Sequence, residues 1–263
     1  GPRRNQAGQI ARTGVIRAGR TGGSTRARGR AAHHVAAMPV LILLGSLLLL
    51  ALLFGPTLWV HHVLRREGAD RPDLPGTGGE LARHLLDEAG LHAVRVEGTD
   101  MGDHYDPEAR VVRLSPGHHD GRSVAAVAVA THEVAHAVQH ARAEPGFARR
   151  QALIRLIGPF DRVALAILLS APLVFAVVHA PALLALQAAL GVAFLAGRLA
   201  IHAVTLPVEY DASFGKALPV LEAGGYLKPA DMPAARRVLK AAALTYVAAA
   251  LMTLVNVARW FRP

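Results

Sequence analysis

The chain contains no cysteine. That excludes disulfide bridges, thiolate-bound zinc and a cysteine nucleophile, while leaving the compartment open. Lysine is nearly absent as well: only Lys216, Lys228 and Lys240 stand among 29 basic residues, and the rest are arginine. Residues 1–37 hold eight arginines and no acidic residue, so most of the formal net charge of +10 sits there and the remaining chain carries only about +2. No aromatic side chain interleaves that stretch, which leaves phosphate contacts as its only route to RNA and makes specific nucleic-acid recognition an unlooked-for function. The sequence opens Gly-Pro, and Met38 stands at the start of the first apolar run. Residues 1–37 are accordingly expected to be a disordered basic tail, or an extension ahead of the native start.

Apolar residues are what the chain has in abundance, 52% of it in several long runs. A soluble protein of 263 residues has no need of such runs. They predict an integral membrane protein with one modest soluble domain.

The chemistry is concentrated in Thr131 to His140, reading THEVAHAVQH. On a helix, side chains four apart share a face, so His132 and His136 can close on one ion. Glu133, about 100° around the axis, flanks the ion's open position. Zinc held by three protein ligands leaves its fourth corner to water, whose pKa falls towards ~7, and Glu133 is placed to take that water's proton. The plainer alternative is a helix that happens to carry these residues, and the chain has 14 histidines. Against it, Val124 to Ala130 are all Val or Ala. They mark the helix as buried, where unpartnered imidazoles and a carboxylate are costly. His140 shares the face but lies about 12 Å along the axis from His132, too far to bind the same ion.

Along the chain, residues 38–60 read as a first transmembrane helix with His61, His62, Arg65 and Arg66 at headgroup level. A signal peptide is the competing reading, weakened by the length of the run and the lack of a small-residue cleavage site. A Gly-, Pro- and Asp-rich linker leads into a small soluble domain, residues 67–146. Thr77 and Glu80 form a capping-box pattern that starts a helix ending at Gly90. Short strands are expected at His92–Glu97, Asp103–Tyr105 and Arg110–Leu114, with a hairpin turn around Asp106-Pro107. Ser123 caps the metal-motif helix, 123–143. Residues 163–204 read as a transmembrane hairpin turning at Ala180-Pro181, the alternative being two buried helices. Residues 241–258, flanked by arginines and Trp260, read as a last span.

The third ligand must come from beyond the motif, where acidic residues are few. Glu144 closes the same helix and Asp161 borders a span. Glu209, in LPVEYDAS, is expected to open a fresh helix after Pro207, within a third-ligand segment 207–235, and to point its carboxylate back at the metal. The hairpin crosses the bilayer twice, which returns Glu209 to the side of His132 and His136 and places the metal close to the membrane surface. Protein or peptide substrates, membrane proteins above all, and the lipid bilayer are the partners this implies.

The stretches DHYDPEARVVRLSPGHHDGRS, AVAVATHEVAHAVQHA and LPVEYDASF together resemble the YugP-like neutral zinc metallopeptidases of bacterial membranes, from about Met38 to the C-terminus. The resemblance implies an α+β Glu-zincin domain combined with about four transmembrane helices, one Zn²⁺ on His132, His136 and Glu209, and Glu133 as the base. More distantly the chain is similar to HtpX-type membrane proteases, in which an acidic residue four positions after the ligand glutamate steadies a histidine. Ser213 holds that position here and Asp211 is two residues away, so Asp211, Ser213 and His140 all stand as candidates for supporting the ligands. His104 or Tyr105 is a candidate donor to the oxyanion, with packing in the hairpin as the alternative. Strand Arg110–Leu114 either offers an edge to an extended substrate or lies inside the sheet.

Arginines crowd the catalytic side (Arg65, Arg66, Arg149, Arg150, Arg155, Arg162, Arg236, Arg237) and are absent from the hairpin tip. The positive-inside rule then faces the metal to the cytoplasm of a multi-pass protein in the bacterial inner membrane, while the arginines of residues 1–37 vote the other way. The function expected is zinc-dependent endoproteolysis. Its rivals are a non-catalytic membrane adaptor with a structural or vestigial zinc site and, through the tail alone, salt-sensitive nucleic-acid binding.

Overall fold

A computed structural model describes residues 24–157 and 180–245, together with Ser170 and Val174. The chain divides into two units, residues 1–49 and 50–263. The expected spans over 163–179 and 246–258, and the first part of the basic tail, lie outside the described residues apart from Ser170 and Val174. Helix α1 (Ser24–Glu67) begins inside the stretch expected to be disordered, where Ala and Arg are good helix formers.

Among the described residues no single helix is long and apolar enough to cross a membrane, so the four-helix expectation stands without support from the fold. One bent pair, Leu43–Ala51 with Phe54–Glu67, is sufficient by length and composition, and Pro181–Phe194 is a shorter apolar helix.

The second unit is α+β, mostly helical around a small mixed sheet. Helix α2 (Gly78–Glu88) starts where its sequence says it should: the Thr77 hydroxyl accepts from Glu80 N–H at 3.2 Å while the Glu80 carboxylate accepts from Thr77 N–H at 2.8 Å. That reciprocal cap contributes about 1 kcal/mol. Strands β1 (Arg95–Gly98), β2 (His104–Asp106) and β3 (Val111–Leu114) form a sheet of order β1-β3-β2, with β1 parallel and β2 antiparallel to β3. The β2–β3 turn is made by Asp106, whose carboxylate accepts from Glu108 and Ala109 N–H, both at 3.0 Å. Val111, Val112 and Leu114 are fully buried, and β3 is the central strand, so of the two readings of Arg110–Leu114 the interior one holds.

Short helix α3 (Pro116–His119) leads to α4 (Val124–Ala141), which runs through the middle of the core. Ser123 caps it, its side chain accepting from Ala126 N–H at 3.0 Å. Because small Val and Ala residues surround its axis, neighbours approach closely on several sides and every residue from Val124 to Ala137 is buried. Helix α2 comes close at Gly78, where a Cβ would lie 2.9 Å from the carbonyl oxygen of Ala126 on α4 and 2.2 Å from that of His118 on α3. Any side chain there would push α2 away.

Helix α5 (Pro145–Ile157) follows, and α6 (Pro181–Tyr210) returns the chain to α4. Here the structure departs from the sequence expectation. Pro207 does not open a new helix; it lies inside α6, three residues before its end. Proline forfeits one backbone hydrogen bond at that point. Thr205, Val208 and Glu209 on either side are buried and hold the backbone in helical form regardless. The helix then widens into a π-helical stretch, Asp211–Ala217, before α7 (Leu218–Gly224), a 3-10 turn at Pro229–Asp231 and helical residues 232–245.

Candidate metal centre

The packing of α4 against the end of α6 brings three side chains from two distant parts of the chain to one point. Oε2 of Glu209 lies 3.1 Å from Nε2 of His132 and 3.1 Å from Nε2 of His136. All three are buried, the carboxylate to 1% exposure, and their ligand atoms lie within 4.8 Å of one another. A zinc ion with bonds of about 2.0–2.2 Å and tetrahedral angles holds its ligand atoms about 3.3–3.5 Å apart. The donor set and its spacing therefore fit zinc with only small outward movement.

Each imidazole is held by its other nitrogen, and the partners fix which nitrogen carries the proton. Ser213 Oγ lies 3.0 Å from Nδ1 of His132 and gives its own proton to the carbonyl oxygen of Leu239 at 3.0 Å. The hydroxyl is thus left as an acceptor, so Nδ1 of His132 donates and Nε2 faces the ion site with a lone pair. Gln139 does the same for His136. Its amide nitrogen donates to Val208 O at 3.0 Å and to Asp211 at 2.8 Å, which leaves its oxygen to accept from His136 Nδ1 at 2.9 Å. Outer hydrogen bonds of this kind orient metal-binding histidines and raise their basicity.

Of the candidates for supporting the ligands, then, Ser213 touches a histidine directly. Asp211 acts one step further out, fastening Gln139 and pairing with Lys216, whose ammonium also reaches Glu144 at 3.0 Å. His140 is turned away from the ion site. Its Nδ1 lies 2.9 Å from the Tyr105 hydroxyl, and its ring stacks on Phe147 at 5.5 Å. Burial, aided by Arg110, holds the His140 pKa below its ordinary value, and burial raises that of Tyr105. His104 turns back onto its own loop, its Nδ1 2.9 Å from Gly102 O.

Glu133 is buried on the same helix beside His132. Burial pushes its carboxyl up to about 7; the neighbouring His132 opposes that shift, and the negative charges of Glu209 and Asp103 add to it. Glu209 moves the other way. Burial disfavours its charge too, but in the metal-free protein, when the imidazoles also take a proton on Nε2, His136 beside it and the hydrogen bonds from both rings outweigh that and hold it well below the usual carboxylate range.

Two further residues belong to the site and were not singled out by sequence reasoning. Gln139 sits inside the motif at i+3 from His136, a spacing that does place its amide near that ring. Arg150, on α5, brings Nη1 to 3.4 Å from Oε1 of Glu209. No local pattern marks it among the neighbouring arginines. Near Glu133, Asp103 forms a third small cluster with His118 at 2.8 Å and the Ser115 hydroxyl at 3.0 Å.

A family model described as "Putative neutral zinc metallopeptidase" matches residues 40–262. Over 187 residues the chain is 37% identical to the "Putative membrane protease YugP" of Bacillus subtilis (strain 168), across 70% of this chain and 79% of that protein. No solved structure matches it.

Proposed function

Since the chain belongs to this family of neutral zinc metallopeptidases, we propose that it is a membrane-associated zinc endopeptidase in which His132, His136 and Glu209 bind the metal and Glu133 is the general base. The observation that carries the reading is the convergence of Glu209 Oε2 on both Nε2 atoms at 3.1 Å with a buried carboxylate beside them. A structural site has no use for Glu133.

When bound, zinc supplies a Lewis acid that polarises the scissile carbonyl and makes water a nucleophile at neutral pH. Glu133 takes the proton of the attacking water and returns it to the leaving amine. Its raised pKa places it near the operating pH, where one group serves as base and then as acid. Ser213 and Gln139 keep the two imidazoles in the tautomer that presents Nε2. The depth of the site excludes bulk water and strengthens the electrostatics on which these transfers depend.

Membrane association is supported by the name of the Bacillus relative and by the surface of α1, where Leu43, Leu44, Leu47 and Leu48 are each more than half exposed. Leucines in an unbroken exposed run suit lipid better than water. We take the bilayer to be the bacterial inner membrane, crossed more than once, with the metal near its cytoplasmic surface and membrane proteins as substrates, on the distribution of arginines.

The test is cleavage of an unstructured protein by the zinc-loaded wild type and by Glu133→Gln. The reading expects cleavage by the wild type, a loss of at least about a thousandfold in the variant, and equal zinc in both. Equal cleavage rejects Glu133 as the base. Zinc without cleavage in either protein favours the adaptor.

A further inference from the structure

Of the three stretches that carry the resemblance, the first, DHYDPEARVVRLSPGHHDGRS, supplies neither a metal ligand nor the base. Its polar side chains nevertheless close into one knot. Asp103 Oδ1 accepts from the Ser115 N–H at 2.7 Å and the Ser115 hydroxyl at 3.0 Å, while Oδ2 lies 2.8 Å from Nδ1 of His118. Burial disfavours the charge of Asp103, but the bonds from His118 and Ser115 outweigh it and hold the carboxyl below its ordinary value. A carboxylate only accepts, so Nδ1 of His118 carries a proton and donates it. The Ser115 hydroxyl, 3.1 Å from the same nitrogen, has its own proton on Asp103 and accepts as well. Among the described residues nothing bonds the opposite nitrogen, Nε2, although the side chain is only 14% exposed.

The knot lies along the face of α4 that carries Glu133. Ala126, Glu133 and His140 are spaced by seven residues and share one stripe, about 21 Å long. At its start the main chain of His118 meets that of Ala126, since a Cβ on Gly78 would touch both carbonyl oxygens. At its far end the Tyr105 hydroxyl reaches His140 at 2.9 Å. Asp103 stands two residues before Tyr105 and is tied to His118, so the pair bridges the middle of the stripe, where Glu133 stands. Glu133 accordingly feels the negative charge of Asp103.

Peptide hydrolysis beside Glu133 generates a transient anion. As the water oxygen bonds to the carbonyl carbon, the C=O π pair moves onto the carbonyl oxygen. The pair returns when the C–N bond breaks and the amine leaves with the proton carried by Glu133. Pre-placed donors aimed at that charge are worth about a hundred- to a thousandfold in rate. The two side chains that sequence reasoning offered for the task are engaged elsewhere, Tyr105 with His140 and His104 with its own loop. On the peptidase reading, we propose that His118 is a catalytic residue that, with protons on both ring nitrogens, donates its Nε2–H to the oxyanion of the tetrahedral intermediate. Asp103 fixes the ring through Nδ1 and offsets its charge, as a buried carboxylate does for an imidazolium, and Ser115 holds Asp103 in turn. The hydrogen stays on Nε2 throughout, so proton transfer remains with Glu133.

The experiment compares two inhibitors built on one peptide. One is a phosphinic analogue, whose oxygens sit on a tetrahedral centre like that of the intermediate; the other is a thiol, which reaches zinc through sulfur and places no oxygen there. Affinities for zinc-loaded full-length wild type, His118→Ala and His118→Gln are read by calorimetry, with zinc per chain measured alongside. His118→Ala is expected to bind the phosphinic peptide about a hundredfold more weakly, with thiol affinity and zinc content unchanged. His118→Gln keeps a neutral N–H donor and is expected to fold and load even where Ala fails; its phosphinic affinity falls about tenfold, because a charged donor is the stronger one. Unchanged phosphinic affinity in a zinc-loaded variant overturns the proposal, as does equal weakening of both inhibitors, which marks a purely structural role. A wild type that binds the phosphinic peptide but cleaves nothing counts against the peptidase reading, while the affinities of the variants still decide whether His118 holds the anion.

Discussion

Ser213 Oγ and His132 Nδ1 meet at 3.0 Å across 81 residues of sequence. The contact gives Ser213, at the position where the resemblance to HtpX-type proteases would put an acid, a role in holding His132. A hydroxyl that has already given its proton to Leu239 O can only accept, so it sets the tautomer as a carboxylate does, without adding negative charge. Replacing Ser213 with Ala is expected to weaken zinc binding about 10- to 100-fold in competition with a chelator of known affinity. An unchanged affinity counts against the orienting role.

Gln139→Leu should act on the fold as well as on the metal. It strips the buried His136 Nδ1 of its acceptor, and takes one donor each from Val208 O and the partly exposed Asp211, which keep the Asp211 N–H and the Lys216 ammonium. A loss of about 1–3 kcal/mol is expected in denaturant unfolding of the metal-free protein. A stability equal to wild type means those groups find other partners.

How much of this was legible in the sequence follows the range of the interactions. Local rules carried the Thr77–Glu80 cap, the Ser123 cap, the Asp106 turn and the shared face of His132 and His136, because each is decided within four residues. Glu209 was reached by elimination among few acidic residues. Its setting was not, since a proline normally starts or breaks a helix, and only the burial of Thr205, Val208 and Glu209 keeps α6 continuous through Pro207. Arg150 was invisible for the same reason. It sits in a run of arginines that reads as a headgroup belt, and only the approach of α6 to α5 gives it Glu209 as a partner.

The two carboxylates make opposite demands on pH in the metal-free protein. Glu133 is raised from its ordinary 4.5 to about 7, so between those values the folded chain binds more protons than the unfolded one and stability falls as pH rises. Glu209 is lowered, so its contribution is present above pH 4.5 and is lost as pH falls through its folded value. Unfolding midpoints of metal-free wild type and Glu133→Gln should therefore converge at the acid end of the window. The wild type should fall relative to the variant by pH 7. Parallel curves across the window contradict the raised carboxyl.

The absence of cysteine makes the orientation testable with one residue. His92, with a side chain 73% exposed beside the metal domain, can be replaced by Cys in an otherwise thiol-free chain. A membrane-impermeant maleimide should label it in inverted vesicles and not in intact cells. Labelling in intact cells places the metal on the outer face.

Metal analysis of Glu209→Gln against wild type, after dialysis against a weak chelator, tests the shared site most directly. The amide has the shape of the carboxylate without its charge, so the fold should survive. A single zinc per chain in the wild type and almost none in the variant is the predicted result; stoichiometric zinc in Glu209→Gln contradicts it.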